Sequence, residues 1–434
     1  MNAGASRRRR LKALPFLVAA PALLVACGST KATSSASTAT GATSGTIAAS
    51  SGTASCAGVP APCSTTVSTA TGTPITIGVT TIEKDPIGDF TDAAYGAQAA
   101  VSYVNGHGGI QGHPIKAIVC PMLSTSGGAQ CANEFVADKV VAVIEGLSTL
   151  DSEIFPILSA ANIPVIGGAP ITPVDFVNNH DHWQFAGGPL SELFGSFDYA
   201  VNTLHVKSMT VVMPASPSAQ TEISEAKQAF ARYNFTNYKT LIAPGTTADP
   251  TPTLVQVNAD HPDAIFFGYQ PPTCATVMKD IKQVGVTAKT MYFSNCGIDQ
   301  VLSAAGSAAE GVYISGDQIN PVWDPSDPEG KVMKAALEAT GHQSSLSDSI
   351  TDLGFQATMN VAEALDKIGA NATSTQINQY FETSNSVPSW LGVPFSCGSP
   401  PFPTLDPALC SSAVKLLQVQ NGALNLIGGG AWYS

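Results

Sequence analysis

The sequence predicts an α/β protein with two domains, each built on a doubly wound parallel sheet. Short apolar runs rich in β-branched residues alternate with amphipathic helical patterns, which is typical of βα units. About 360 residues follow a Ser/Thr-rich segment, too many for one ordinary core and suited to two domains. Two successive runs of βα units, ending near Phe185 and Phe293, give the two sheets.

The stretch from Val140 to Gly168 shows the βα pattern most clearly. Residues 140–144 have the composition of a strand buried on both faces, an amphipathic helix follows, and residues 163–166 form the next strand. In such units, ligands bind beyond the carboxyl ends of the strands. Ser148 and Thr149 lie there, just before the helix. They either cap the helix or help its free N–H groups bind an anion, and spacing alone favours the cap.

The same two periodicities predict the other elements. Further strands are predicted at residues 75–79, 115–119, 208–213, 238–242, 264–268, 290–293 and 311–314, with a terminal hairpin at 414–419 and 423–427. Helices are predicted at residues 92–105, 128–138, 191–204, 221–233, 254–258, 274–284, 327–340 and 347–368. The periodicity does not indicate on which domain the last two helices pack.

The first 27 residues have the pattern of a bacterial export signal. Four arginines and a lysine precede residues 13–25, an apolar stretch too short to span a bilayer. The stretch ends in Leu-Val-Ala-Cys, which resembles a lipobox, where the cysteine is lipidated and becomes the mature N-terminus. We therefore predict a lipoprotein signal peptide over residues 1–27 and a lipid anchor on Cys27. An ordinary signal peptide with a chance cysteine is the alternative.

Residues 28–72 consist almost wholly of Ser, Thr, Ala and Gly and cannot bury enough apolar surface to fold. We predict a disordered tether here, with the folded part beginning near Thr73. The chain has 20 basic and 32 acidic residues. Removing the signal takes away five positive charges and leaves about −17. Such a protein does not bind nucleic acid by neutralising phosphates, and its acidity favours solubility.

The cysteine count indicates disulfides. Nine cysteines are present, so eight remain if Cys27 carries lipid, an even number in an exported chain. Pairing neighbours along the sequence gives Cys56–Cys63, Cys120–Cys131, Cys274–Cys296 and Cys397–Cys410. Spacing alone leaves other pairings open. Zinc is the alternative, but the cysteines are scattered and no C-x-x-C occurs.

A family resemblance begins at residues 105–115, NGHGGIQGHPI. This segment resembles the N-x-x-GGI-x-G-x-x-I signature after the first helix of the type I periplasmic solute-binding proteins, in particular the leucine/isoleucine/valine-binding family of ABC transporters. The order of the segments around residues 75, 140–148, 163–166 and 262–265 agrees with that family. The similarity extends over about residues 74–434, and the order and spacing of the segments carry it.

The resemblance implies two α/β lobes that are joined by a three-strand hinge and close over one ligand. It places the late helices on the first lobe and the terminal hairpin on the second. The implied N-lobe comprises residues 73–188 and 316–385. The implied C-lobe comprises residues 189–315 and 386–434.

The resemblance also implies ligand contacts on the N-lobe. Ser148 matches the hydroxyl of the family's G-x-S turn, which meets an amino-acid carboxylate, and Thr149 lies beside it. Gly168 and Ala169 match a loop whose backbone faces the ligand. Thr172 is the first hydroxyl residue after that alanine.

On the C-lobe, Tyr269 and Gln270 begin the loop from which amino-acid-binding members supply a carboxylate for the ligand ammonium. Residues 269–274 contain no acid, so another side chain must supply that charge in an amino-acid site. Phe90, Tyr269 and Trp183 are the aromatic candidates for an apolar part of the cleft. The acids that remain available are Glu83, Asp85 and Asp317.

The predicted function is that of a substrate-binding lipoprotein on the extracytoplasmic face of the cell membrane. It hands a small polar solute, such as an amino acid or amide, to an ABC permease. No cofactor or metal is predicted, because residues 180–182 offer only two good metal ligands. No G-x-S-x-G, H-E-x-x-H or P-loop motif occurs, so no enzyme is predicted. A ligand sensor on the same scaffold and a hydrolase are the alternatives.

Overall fold

Strands and helices alternate in the computed structural model, which describes residues 56–84, 89–177, 180–216, 219–244, 249–271 and 273–434. The strands are β1 (Ile75–Ile82), β2 (Ile115–Met122), β3 (Val143–Glu145), β4 (Val165–Gly167), β5 (His182–Trp183), β6 (Met209–Pro214), β7 (Tyr238–Ala243), β8 (Ala264–Phe267), β9 (Lys289–Tyr292), β10 (Tyr313–Gly316), β11 (Val414–Gln420), β12 (Ala423–Leu426) and β13 (Trp432–Tyr433). The helices are α1 (Asp92–Gly106), α2 (Gly128–Ala137), α3 (Asp151–Ala160), α4 (Gly188–Asp198), α5 (Ala219–Arg232), α6 (Thr251–Asn258), α7 (Thr273–Val284), α8 (Asp299–Ala305), α9 (Pro328–Thr340), α10 (Ser349–Ile368) and α11 (Ser374–Glu382). The predicted signal peptide and Cys27 lie outside the described residues.

The first sheet has the strand order β2-β1-β3-β4-β5, and all its neighbours are parallel. One face packs on the apolar sides of α1, α9 and α10, and the other packs on α2 and α3. This sheet and its helices form what we call the first lobe. Because both faces are covered, β3 and β4 are buried along their whole length, as their continuous apolar sequences predict.

The second sheet is also mostly parallel, in the order β7-β6-β8-β9-β10. β11 then pairs antiparallel with β10, and β12 pairs antiparallel with β11. This sheet, with α4 to α8, forms the second lobe. The antiparallel pairing of β11 with β12 confirms the hairpin predicted at the C-terminus. Asn421 and Gly422 connect the two strands, and both have the positive φ that a two-residue turn requires. The predicted fold class, with two parallel-sheet lobes, is confirmed as well.

Helix α10 packs closely on α1 through small residues. A Cβ atom on Gly96 would lie 2.1 Å from the Thr351 carbonyl oxygen, and one on Gly354 would lie 1.9 Å from the Ala93 carbonyl oxygen. Only glycine lets the two backbones approach this closely. The contact holds a late segment of the chain on the first lobe.

The chain crosses between the lobes after β5, after β10 and after α11. The crossings hydrogen-bond to one another. Gln184 N–H donates to the Ala408 carbonyl at 3.0 Å, and Ile319 N–H donates to the Leu391 carbonyl at 2.8 Å. Gln184 also pairs with Leu409 as an isolated bridge. Backbone hydrogen bonds thus connect the segments that cross between the lobes, and these segments form little regular strand pairing.

Residues 56–72 pack against the first lobe, so the tether predicted to reach residue 72 is wrong over this range. Trp390 Nε1 donates to the Ala61 carbonyl at 3.0 Å, and Ser68 N–H donates to the Gly106 carbonyl at 3.0 Å. Backbone hydrogen bonds hold this segment although its side chains are small. The sequence composition, which records only side chains, did not reveal these bonds.

The four cysteine pairs predicted from the sequence are disulfide-bonded in the structure. Trp390, Phe395, Cys397 and Cys410 pack in the core of the first lobe, beyond the boundary predicted at residue 386. The predicted lobe boundaries stay predictions. Within the described ranges, no helix combines the length and apolar character that crossing a bilayer requires.

Candidate functional site

A cleft of about 650 Å³ opens between the two lobes. Its first wall comes from the loops that follow β1, β3 and β4. Its second wall comes from α5 and from the loop after β8. In parallel sheets, the loops at the carboxyl ends of the strands are the usual place for a ligand. The volume falls in the range of about 300–1,000 Å³ that small-molecule sites occupy.

Three of the residues predicted from the sequence line this cleft. Phe90 and Thr172 come from the first lobe, and Gln270 comes from the second. Asn295 donates a hydrogen bond from its side-chain amide to the Gln270 amide oxygen. The fold thus brings together, across one space, residues that are far apart in the sequence.

Ser148 and Thr149 do not line the cleft. Ser148 is 2% exposed, and its hydroxyl accepts a hydrogen bond from Leu150 N–H at 3.0 Å, directly before α3. Thr149 Oγ1 donates to the Ser124 carbonyl at 3.0 Å. Ser148 thus closes a local turn just before α3, whose N-cap residue is Leu150 without a side-chain cap hydrogen bond. Neither Ser148 nor Thr149 is therefore the predicted cap. Their contact with a ligand stays a prediction.

The other predicted positions lie close to the cleft or behind it. Gly168 has a φ of +75°, and a Cβ there would be 2.8 Å from a Glu145 carboxylate oxygen. Ala169 is half-buried on the same loop. Tyr269 is 1% exposed and packs with Phe267 in the core of the second lobe. Ligand contact at these three positions also stays a prediction.

The loop after β4 binds a carboxylate of the protein itself. Asp175 Oδ2 accepts from Ile171 N–H at 2.9 Å and from Thr172 N–H at 2.7 Å, and Asp175 Oδ1 accepts from the Thr172 hydroxyl at 2.9 Å. These are the donors that an incoming anion would need. Because Asp175 already uses them, this loop is not free to receive a ligand carboxylate.

A buried group of ionisable side chains lies behind this loop. It comprises Glu145, Asp151, Asp175, His182 and Asp406, all at most 5% exposed. His182 Nε2 lies 3.2 Å from Glu145 Oε2. Burial raises the pKa of Glu145 to about 8 and that of Asp151 to about 9, and the neighbouring Glu145 adds to the shift at Asp151. Burial likewise raises the pKa of Asp175 to about 6 and that of Asp406 to about 7.

This group has a negative or neutral character, which disfavours a second anion nearby. It is not arranged for a metal ion either. Among the described residues, no three His, Cys, Asp or Glu side chains are placed to hold one. The apolar runs that predicted β3 and β4 gave no sign of this group, because its members come from five separate segments.

Helix α5 contributes acids to the opposite wall. Glu222 and Glu225 both line the cleft, three residues apart and therefore on one face of the helix. Glu225 is only 6% exposed, and burial, followed by the charge of Glu222, raises its pKa to about 7. The sequence analysis missed both residues. The available signal was an acid at position 225, next to the apolar positions 223, 226 and 229 of the same helical pattern.

The acids considered from the sequence are placed differently. Asp317 is buried at the second crossing between the lobes, where Oδ2 accepts from Gly188 N–H at 2.8 Å. Glu83 follows β1 and is not among the residues that line the cleft. Asp85 lies outside the described residues.

Comparison with known proteins places the chain among solute-binding proteins. A family model described as periplasmic binding protein matches residues 74–396. A protein of Pseudomonas aeruginosa named amino acid binding protein is 23% identical over 286 residues, which cover 64% of this chain and 74% of the relative.

Solved structures share the fold at lower sequence identity. The branched-chain amino acid transporter substrate-binding protein LivJ of Streptococcus pneumoniae, in complex with isoleucine, superposes with a TM-score of 0.64 at 15% identity, over 82% of this chain and 99% of that one. An extracellular ligand-binding receptor of Rhodopseudomonas palustris superposes with a TM-score of 0.61 at 18% identity, over 82% and 99%.

Proposed function

The chain belongs to the periplasmic binding protein family, and from that premise we propose that it is the extracytoplasmic substrate-binding component of an ABC importer. It captures a small polar solute between its lobes and presents the solute to a membrane permease. The observation that carries the proposal is the cleft of about 650 Å³, whose walls come from both lobes. Closure of the lobes about the crossings would enclose the solute.

We propose that the protein binds its solute without altering it. The relatives are solute-binding proteins by name. The cleft is lined by apolar, amide, hydroxyl and carboxylate groups, including Phe90, Gln270 and Glu225. If these cleft residues were catalytic, the protein would convert a solute that it binds into a product. Incubation of the protein with each solute it binds, followed by mass spectrometry, is expected to return the solute unchanged.

We also propose that Cys27 carries the lipid anchor. The lipobox at residues 24–27 is the support for this proposal. Cells grown with an alkyne fatty acid are expected to label the wild-type protein and to leave Cys27→Ser unlabelled. The Cys27→Ser protein is also expected to appear in the soluble extracytoplasmic fraction. Equal labelling of both proteins would contradict the anchor.

The binding function is tested by a thermal-shift screen over amino acids, amides, amines, short-chain acids and sugars. A solute present at a hundred times its dissociation constant stabilises the folded state by about 2.7 kcal/mol. A binding solute is expected to lose its stabilising effect when Thr172→Trp fills the cleft. No shift with any class of solute would contradict a small-molecule receptor.

A ligand sensor on the same scaffold is the second candidate, and it is favoured by the similarity to a protein named extracellular ligand-binding receptor. Crosslinking in cells with the bound solute present separates the two functions. An importer component is expected to crosslink to a multi-span permease, and deletion of that permease should abolish uptake. Crosslinking to a signalling protein, with uptake unaffected, would favour the sensor.

A further inference from the structure

We propose that the cleft takes a small organic cation, an amine with an apolar body and no carboxylate, rather than a zwitterionic amino acid. The inference deepens the proposed function and rests on it. Glu225 of α5, with Glu222 beside it, receives the ammonium group. The apolar side chains of the first wall receive the body of the ligand.

The carboxylate of Glu225 is largely buried in the wall of the cleft. Glu225 is 6% exposed and lines the cleft, yet it makes no hydrogen bond or ion pair with any other described residue. A carboxylate that is mostly removed from water and has no donor beside it is costly to hold in its charged form. An ammonium group in the cleft would supply the missing donor and the opposite charge.

The charged residues that line the cleft are acids. Glu222 lines the cleft together with Glu225, and the remaining polar lining is neutral, including Thr221, Ser224 and Gln228. No lysine, arginine or histidine is among the described residues that line the cleft. A cation therefore meets attraction from α5, whereas an anion meets no compensating charge on either wall.

The backbone donors that could bind a ligand carboxylate are already used by the protein. The N–H groups of Ile171 and Thr172 both donate to Asp175. The Ser148 hydroxyl is buried and accepts from Leu150 N–H. An α-carboxylate would have to displace a buried carboxylate of the protein to reach these donors. The first wall therefore disfavours an amino acid and favours a ligand that lacks this group.

The cleft also has apolar lining that could hold the body of a ligand. This lining includes three prolines and the side chains of Phe90, Leu147, Phe176 and Leu405. Apolar surface of this kind stabilises a bound hydrocarbon body by removing it from water. A cation with an aliphatic or aromatic body matches the acidic wall and the apolar wall at once.

The test is a set of ligands that share one hydrocarbon body and differ in the charge of the group it carries. Isothermal titration calorimetry of the full chain would compare 3-methylbutylamine, L-leucine, 4-methylpentanamide and 4-methylpentanoate. The set would be repeated with 2-phenylethylamine, L-phenylalanine and 3-phenylpropanoate, whose larger bodies fill more of the cleft. We expect each amine to bind at least tenfold more tightly than every other compound of its own set.

The variant Glu225→Gln keeps the shape of the side chain and removes its charge. It is expected to weaken amine binding at least tenfold and to leave binding of the amide within about twofold. Glu338→Gln, an exposed position on α9, is the matched control and should leave all affinities unchanged. Thermal unfolding of both variants confirms that each is folded.

The outcomes separate this inference from the proposed function. Leucine or a carboxylic acid binding as tightly as the amine, or an amine affinity unchanged in Glu225→Gln, would overturn the cation. Solutes of other classes binding while every amine fails would also overturn the cation but leave the receptor standing. Failure of every class of solute would overturn the receptor and this inference together.

Discussion

The backbone N–H of Gly188 donates a 2.8 Å hydrogen bond to Asp317 Oδ2, which ties the first crossing between the lobes to the second. Burial and the neighbouring Glu192 carboxylate raise the pKa of Asp317 well above its usual range. Burial thus disfavours the charged form of Asp317, whose side chain accepts a hydrogen bond from Gly188 in the joint between the lobes.

Asp317→Asn keeps an oxygen acceptor for Gly188 and is expected to change the free energy of unfolding at pH 7 by less than about 0.5 kcal/mol. Asp317→Ala removes the acceptor and leaves a buried N–H unpaired, which is expected to cost about 1–3 kcal/mol. Urea unfolding of the two variants measures the difference. Equal loss of stability in both would show that the hydrogen bond to Gly188 is not what Asp317 contributes.

Ser148→Ala tests whether Ser148 serves folding or the ligand. The hydroxyl accepts from Leu150 N–H, and the loss of this hydrogen bond is expected to lower the free energy of unfolding by about 1 kcal/mol. Affinity for a bound solute should change less than twofold. A loss of affinity of about 1–2 kcal/mol with unchanged stability would instead show that Ser148 meets an anionic group of the ligand.

Stability is expected to fall as the pH rises through the neutral range. The folded-state pKa values of Glu145 and Asp151, about 8 and 9, lie above those of an unfolded chain, so the folded state holds protons that the unfolded state has lost. This contribution is complete below about pH 4 and is lost as the pH passes 8 to 9. Asp175 and Asp406 add to it in the same direction, with pKa values of about 6 and 7.

The measurement is chemical unfolding at pH 5.5 and pH 8.5. We expect the protein to be more stable at pH 5.5 by a few kcal/mol, since each pKa unit corresponds to about 1.4 kcal/mol and the neighbouring groups share their charges. Glu145→Gln should flatten this dependence. Stability that stays constant or rises towards pH 8.5 would contradict the raised pKa values.

Gly354→Ala tests the close contact between α1 and α10. The added Cβ would lie 1.9 Å from the Ala93 carbonyl oxygen, so the two helices must separate, at an expected cost of about 1–3 kcal/mol or more. Gly106→Ala, at the end of α1, is the control, because its Cβ would meet no atom within 4 Å. Thermal unfolding that ranks the two variants equally would argue against the packing of α10 on α1.

Much of the molecule follows from the sequence alone. The short β-branched apolar runs at Val143 and Val165 indicate buried strands. The pair Asn421-Gly422 indicates the terminal turn through its positive φ angles. The order of the cysteines indicated the four disulfides but left other pairings open. These features are local, and so a single sequence records them.

Only the tertiary structure decided what meets in the cleft. Asp175 accepts hydrogen bonds from Thr172, which the sequence assigned to a ligand, and Glu225 reaches the cleft from a helix in the other lobe. The backbone of residues 56–72 packs although its side chains predicted a tether. Such relationships depend on distances between remote segments and on backbone hydrogen bonds. Neither leaves a periodic pattern in the sequence, because each is set by how whole layers pack.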